Sequence, residues 1–262
     1  MRRMPITEDS YGAVLSDGHG GPVARFTWRD EGGERVALKF RAGPSVAADR
    51  AARLAVRELA GLRIKSNDEE AARALIGAGC TLVRAATDMH RGFDEPIPAA
   101  SPAGGWTIVP HDWDDDLAVA LAAAYARPDH PDRADGIDRV SRLRSLTEGK
   151  NGLIVLPGAT GRLKDPGGRS MGQVFTVGPV PWGSAPTAWV LDLSVGPDGQ
   201  GRGFGAALLA YAMSGIRQAG LTVVGLTVTD GNPARRLYDR MGFRPVLRHF
   251  EVRAPQAPAD TV

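Results

Sequence analysis

One stretch, Trp189 to Phe243, restricts what this chain can fold into more than any other. It opens WVLDLSV, an apolar, β-branched run that ends at Val195 and reads as a strand. The turn GPDG follows, then Gln200-Gly201-Arg202-Gly203-Phe204-Gly205 and the helical pattern AALLAYAMSGIRQAG. Strand, glycine-rich loop and helix in that order present backbone N–H groups to an anion at a helix N-terminus. Glycines at 201, 203 and 205 let the backbone approach such a group without a Cβ in the way. A helix from about Gly203 to Ala219 would run roughly 25 Å at 1.5 Å per residue. Leu209, Ala212, Met213 and Ile216 give it one apolar stripe, and Gly220 suits its C-terminal stop. LTVVGLTVT (221–229) reads as a second strand. Asn232 to Gly242 then reads as a short helix, with Pro233 at its first position and Gly242 just beyond its end.

Gln200-x-x-Gly203-x-Gly205 after a strand, followed by a helix, a strand and Asn232-x-Ala234-x-x-Leu237-Tyr238-x-x-x-Gly242-Phe243, resembles the GNAT (GCN5-related) acyl-CoA N-acyltransferases. Both halves of the pattern occur in order, with Asn232 one residue nearer to Ala234 than in the family's Asn-x-x-Ala. The resemblance implies an α/β (α+β) fold with a mixed sheet, acetyl-CoA as cosubstrate, no metal, and transfer of an acyl group to a primary amine. It implies a bulged strand edge at Leu193, Ser194 and Val195 that faces the acyl carbonyl and pairs with the pantetheine arm. It also implies a pyrophosphate held by the N–H groups from Gln200 to Gly205, with Arg202 adding charge and Phe204 opening the helix. Tyr238 falls where the family carries the proton donor to the departing thiolate, and Asn232 where it contacts the CoA arm. Asp192 falls where members often carry an acid that draws a proton from the amine through water, although an Asp at a strand end also orients loops. Tyr125, Asp129, His130 and Glu148 lie in the helical region that shapes the acceptor pocket.

Gly201-x-Gly203-x-x-Ala206 also fits a dinucleotide fingerprint, but GPDG separates it from the strand end and too little chain follows for a second βαβ half. The other class kept open is a non-catalytic acyl-CoA-binding or scaffold protein, with the N-terminal unit serving a homodimer. Transfer to a protein amine, or of an acyl group other than acetyl, is a further alternative to the small-molecule acceptor preferred here.

Residues 1–98 read as a smaller α/β unit. PVARFTW (22–28) and RVALKF (35–40) are strands around DEGGE, and 45–61 is a helix with Ser45 as its N-cap. LRIKSND, EEAARALIGAGC and TLVRAATDM then give strand, helix, strand. Gly79 set on Gly242 gives an offset of 242 − 79 = 163, which places Ala71 on Ala234 and Leu75 on Tyr238. RAGPS replaces the glycine loop, so this unit resembles a partial GNAT-like domain without a CoA loop, or a generic βαβ-like unit. Residues 99–105 are expected to link it to a catalytic domain at 106–254, and 255–262 to form a disordered tail.

In the second domain WTIVP (106–110) reads as a strand, 117–126 and 135–149 as helices, and NGLIVL (151–156) as a strand. PGATGRLKDPGGRS reads as a long hairpin loop and MGQVFTVGPV (171–180) as the next strand.

Thirty-two basic residues against 30 acidic ones, with no basic block interleaved with aromatics, give no reason to expect nucleic acid. Cys80 is the sole cysteine, and MRRMPITEDSYG lacks the apolar core of a signal peptide. No apolar run approaches the length of a membrane span. A cytoplasmic, membrane-free protein is expected.

Overall fold

The computed structural model describes residues 6–126, 130–132, 136–148 and 152–257. It divides into two compact units, one of residues up to Thr87 together with those from Leu247, the other Asp88–Val246. The expected linker at 99–105 lies inside the second unit, where Ala100 packs against the core. Arg91 fixes its approach by donating to the carbonyls of Glu95 (3.2 Å) and Pro96 (2.7 Å). Of the expected tail, residues 258–262 lie outside the described residues.

The first unit arranges its strands in the order β1 (Ile6–Asp9), β2 (Gly12–Ser16), β3 (Pro22–Glu31), β4 (Glu34–Ala42), β5 (Arg63–Ser66) and β12 (Arg244–Arg253). The first two were not anticipated: ITED and GAVLS are short and joined by a two-residue loop. Asp9 shapes that loop by accepting from the Tyr11 N–H at 2.8 Å. Helix α1 (Ala48–Glu58) follows β4, and α2 (Glu69–Gly77) follows β5. Ser45 is not the cap of α1. It sits at φ +62°, and the helix opens after Ala47 with no side-chain cap. Asp68 does cap α2, accepting from Glu70 and Ala71 N–H. Residues Phe250–Arg253 pair antiparallel with β5, and Arg63 reaches both Glu34 (2.9 Å) and Glu251 (2.8 Å). Those contacts draw the end of the chain away from the domain expected to run to 254. Cys80 is buried in this unit's core, and burial pushes its thiol up to about 11.

Two features of the second unit recur here at the expected offset. Cys80 N–H donates to the Leu75 carbonyl at 3.0 Å, as Phe243 N–H does to that of Tyr238 at 3.0 Å. Gly79 and Gly242 take the left-handed conformation that such helix stops require. Strand β4 pairs in parallel with β5 at Val36 and Ala37 alone, and a bulge at Lys39 (φ +57°) follows.

The second unit places β6 (Thr81–Gly92, from Asp88 on) beside β11 (Val223–Thr229), β10 (Thr187–Val195), β9 (Ser170–Val177), β8 (Gly161–Lys164) and β7 (Thr107–Pro110). β10 is antiparallel to β9 and parallel to β11. This mixed sheet rules out the doubly wound parallel sheet that a dinucleotide fold needs. Alternation along β9 and β10 sends Val174, Ala188 and Val190 to one core, and Phe175, Val177 and Trp189 to another. Helix α5 (Phe204–Gln218) covers the first face, with Leu209, Ala212, Met213 and Ile216 all buried. Helices α3 (Asp115–Tyr125) and α4 (Gly136–Thr147) cover the second.

The strand expected at 151–156 is reduced to one bridge between Val155 and Val177. Pro157, which lacks an N–H, starts a 3-10 turn (Pro157–Ala159), and β8 then forms inside the expected loop. That turn presses on α5: a Cβ on Gly215 would come within 2.0 Å of the Gly158 carbonyl oxygen. Backbone cannot yield as a side chain does. Gly215→Leu is therefore expected to cost about 3 kcal/mol in denaturant unfolding, the upper end of overpacking.

Candidate active site

β10 and β11 pair from Thr187/Val223 to Val190/Leu226 and then part. Leu191 is an extra residue in β10, because the register with β9 slips between Val190 and Asp192. The bulge thus lies at Leu191, ahead of the expected Leu193–Val195. It falls where parallel pairing stops, so it turns the rest of β10 away from β11. Past it, β10 stays paired with β9 on one side only, and alternate residues aim backbone groups into the opening.

A cavity of about 450 Å³ occupies that opening. Asp192, Leu193, Ser194 and Val195 form one wall, and Gln200, Gly201, Gly203, Phe204 and Gly205 close one end. Asn232, Tyr238, Tyr125 and His130 line the cavity as well. Arg202 and Glu148 do not line it. Arg202 is exposed, its guanidinium stacked at 4.9 Å on Trp106 and 5.0 Å on Phe204. Glu148 follows the last residue of α4 and is exposed. Asp129 lies outside the described residues.

The loop after β10 is built for its backbone. Gly201 (φ +75°) and Gly203 (φ +83°) are left-handed, and a Cβ on either would touch nothing within 4 Å. Conformation, not crowding within the protein, calls for glycine there. Gly205 instead packs close, its would-be Cβ 3.1 Å from Leu237. α5 has no side-chain cap. Among the described residues the N–H groups of 201–205 meet no backbone acceptor, and together they form a positive concavity at the helix start. Gln200 steadies the loop by donating to the Val195 carbonyl at 3.0 Å.

Tyr238 lies in α6 (Arg235–Arg240) and is 7% exposed. Pro233 is not the helix's first residue: the Asn232 and Pro233 carbonyls accept from the N–H groups of Arg235 and Arg236 in turns, and the helix opens after Ala234. Gly242 N–H donates to the Asp239 carbonyl, and with the Phe243 bond this closes a Schellman stop that fixes the tyrosine's place. Burial, then the charges of Asp192 and Asp132, hold its phenol well above the usual tyrosine range. It stays protonated through neutral pH. Asn232 accepts from Ala234 N–H at 2.9 Å, while its amide donates to Asp132 at 3.4 Å. Asp132 also accepts from Thr229 at 2.7 Å, which ties the segment after α3 to the end of β11.

Asp192 is buried within a ring of donors. Oδ1 accepts from the Tyr125 hydroxyl at 2.6 Å and faces Arg139 at 3.4 Å; Oδ2 accepts from Gln173 and Ser194, each at 3.0 Å. The Gln173 oxygen in turn meets His111 Nε2 at 2.8 Å. Since the Gln173 amide nitrogen donates to Asp192, His111 Nε2 is the donor in that pair. Burial holds His111 below the usual histidine range, so it is neutral around pH 7. Arg139 lies over the Tyr125 ring at 4.3 Å, and His130 meets its edge at 4.9 Å. Sequence reasoning missed Gln173, Arg139, His111 and Asp132. A glutamine within the apolar run MGQVFTV was the one available signal for a buried polar partner.

Residues 168–243 match the model of the acetyltransferase (GNAT) family. No curated protein sequence matches the chain. Among solved structures it is similar to a GCN5-related N-acetyltransferase from Sphaerobacter thermophilus, with 19% identity, TM-score 0.63, and 95% of this chain and 83% of that one covered. A tandem GNAT protein from the clavulanic acid biosynthesis pathway aligns with 17% identity and TM-score 0.58, over 95% and 83%. A GCN5-related N-acetyltransferase from Kribbella flavida aligns with 16% identity and TM-score 0.52, over 90% and 87%. At these identities the likeness is one of fold. No helix among the described residues is long and apolar enough to cross a membrane, and among them no group of His, Cys, Asp or Glu is placed to hold a metal.

Proposed function

We propose, from the GNAT fold of the chain and the family match over residues 168–243, that this protein transfers an acyl group, acetyl first, from coenzyme A to a primary amine of a small molecule. One observation carries the reading: the free edge of β10, the N–H groups at the start of α5 and the buried Tyr238 bound a single cavity. The amides of 201–205 suit a pyrophosphate. The open edge of β10 suits an extended amide-bearing arm, which would add to it as a strand does. Tyr238 supplies a proton where a thiolate would leave. The amine nitrogen bonds to the acyl carbon as the C–S bond breaks; the sulfur takes the tyrosine's proton, and the surplus proton on nitrogen makes up the loss. The product is an amide and a free thiol.

The lone, buried Cys80 fits a reducing, cytoplasmic setting. Tyr125 and His130, both in the cavity wall, supply ring surfaces that suit a small-molecule amine. The test has two parts. Calorimetry with acetyl-CoA is expected to show one site per chain. Thiol release with a panel of aminosugars, arylalkylamines and diamines is expected to exceed the amine-free rate. Binding without release for any amine would leave an acyl-CoA-binding scaffold, and no binding would remove both readings.

A further inference from the structure

The carboxylate of Asp192 is already met by four donors within 3.4 Å, so no acceptor direction is left for an incoming amine or water. Its shortest contact, 2.6 Å, is to the hydroxyl of Tyr125, which lines the cavity. That hydroxyl gives its proton to Asp192 and accepts a long, weak bond from Arg139 at 3.3 Å, so its oxygen keeps room for one more donor. Extending the acyl-transfer reading above and resting on it, we infer that Tyr125 is the group that takes the proton of the arriving ammonium, passing its own proton to Asp192.

The step is a double proton transfer with no other bond change. The N–H proton of the ammonium moves to Tyr125 Oη as the phenol proton moves to Asp192 Oδ1, leaving a neutral amine, a neutral tyrosine and a protonated aspartic acid. The proton returns to water through Tyr125 after the amide leaves. A free phenolate is never formed, in keeping with burial and the Asp192 charge, which hold the Tyr125 phenol well above its usual range. Arg139 lies on the ring and against Asp192 Oδ1, which holds the hydroxyl in line with the carboxylate. Gln173 and Ser194 keep the other oxygen occupied, so Oδ1 alone receives the proton.

The test compares Tyr125→Phe, Asp192→Asn and the double variant in thiol release from acetyl-CoA, with phenethylamine and with 4-methylaniline as acceptors. The alkylamine arrives as an ammonium and needs the transfer; the arylamine arrives neutral and does not. Each single variant is expected to lower kcat/KM for phenethylamine about 100-fold, in the range of general-base losses, and for 4-methylaniline less than about threefold. The double variant is expected to lose no more than either single one, and the acetyl-CoA affinity by calorimetry to stay the same. An unchanged phenethylamine rate in Tyr125→Phe overturns the inference, as does an equal loss with both amines. Should Asp192→Asn not fold, Tyr125→Phe decides alone, since it keeps the ring under Arg139. A wild-type protein that releases thiol with no amine, in this pair or in the panel above, ends the parent reading and this one together; an active wild type with an equally active Tyr125→Phe ends only this one.

Discussion

Tyr238→Phe is expected to lower kcat about 100- to 10,000-fold with acetyl-CoA affinity unchanged within about threefold, the signature of losing a proton donor used only in the chemical step. The ring fills a buried site beside Phe243 and Met241, and phenylalanine keeps that packing. Burial and nearby charges, with no hydrogen bond among them, act on the hydroxyl, so its removal orphans no donor or acceptor among the described residues. Stopped-flow thiol release under single-turnover conditions isolates the step. Equal rates would show that the thiolate is protonated from elsewhere. The direction of the phenol's shift adds a second reading: it remains protonated below pH 10, the ordinary tyrosine range, so no loss of rate from this group is expected as pH rises from 7 to 10.

The second large effect concerns Gly203. Its φ of +83° lies where a β-branched side chain is strained by about 1–2 kcal/mol, and relief would turn the N–H groups at the start of α5 out of line. Gly203→Val is expected to weaken acetyl-CoA binding about 100-fold, close to 3 kcal/mol. Gly203→Asn, a residue that tolerates the left-handed region, is expected to lose under tenfold, because a Cβ there meets no protein atom. Calorimetry on both separates the two explanations for the glycine. Equal losses would mean that a ligand, and not the backbone angle, forbids the side chain.

These two positions were legible in the sequence because each is fixed by local rules. A left-handed glycine before an apolar helix and a tyrosine one turn before a glycine stop are patterns of near neighbours. The stop at Gly220 and the buried stripe of α5 were legible for the same reason. What could not be read is what long-range pairing decides. The bulge at Leu191 depends on how β10 registers with β9. The strand at 161–164 forms because β7 and β9 flank it, although its own residues, GRLK, look like a loop. The end of the chain leaves the expected domain because Phe250–Arg253 find β5 nearly two hundred residues earlier. The partners of Asp192 come from three separate segments, so the residue was visible and its surroundings were not.

The bulge and helix stop shared by the two units bear on whether the first unit could hold a site of the same kind. There Ser66 donates to the Phe40 carbonyl at 2.7 Å, just where β4 and β5 would otherwise leave a gap, and Asp68 N–H binds the same hydroxyl at 3.0 Å. Leu75, at the place of the tyrosine, is wholly enclosed by core. A phenol placed there would strand its hydroxyl in hydrocarbon unless the serine bridge were first broken, and breaking the bridge alone would orphan a buried carbonyl. Each change alone is destabilising before any ligand could compensate. The first unit is therefore closed, one substitution at a time, to a site of the kind bounded by Tyr238 in the second.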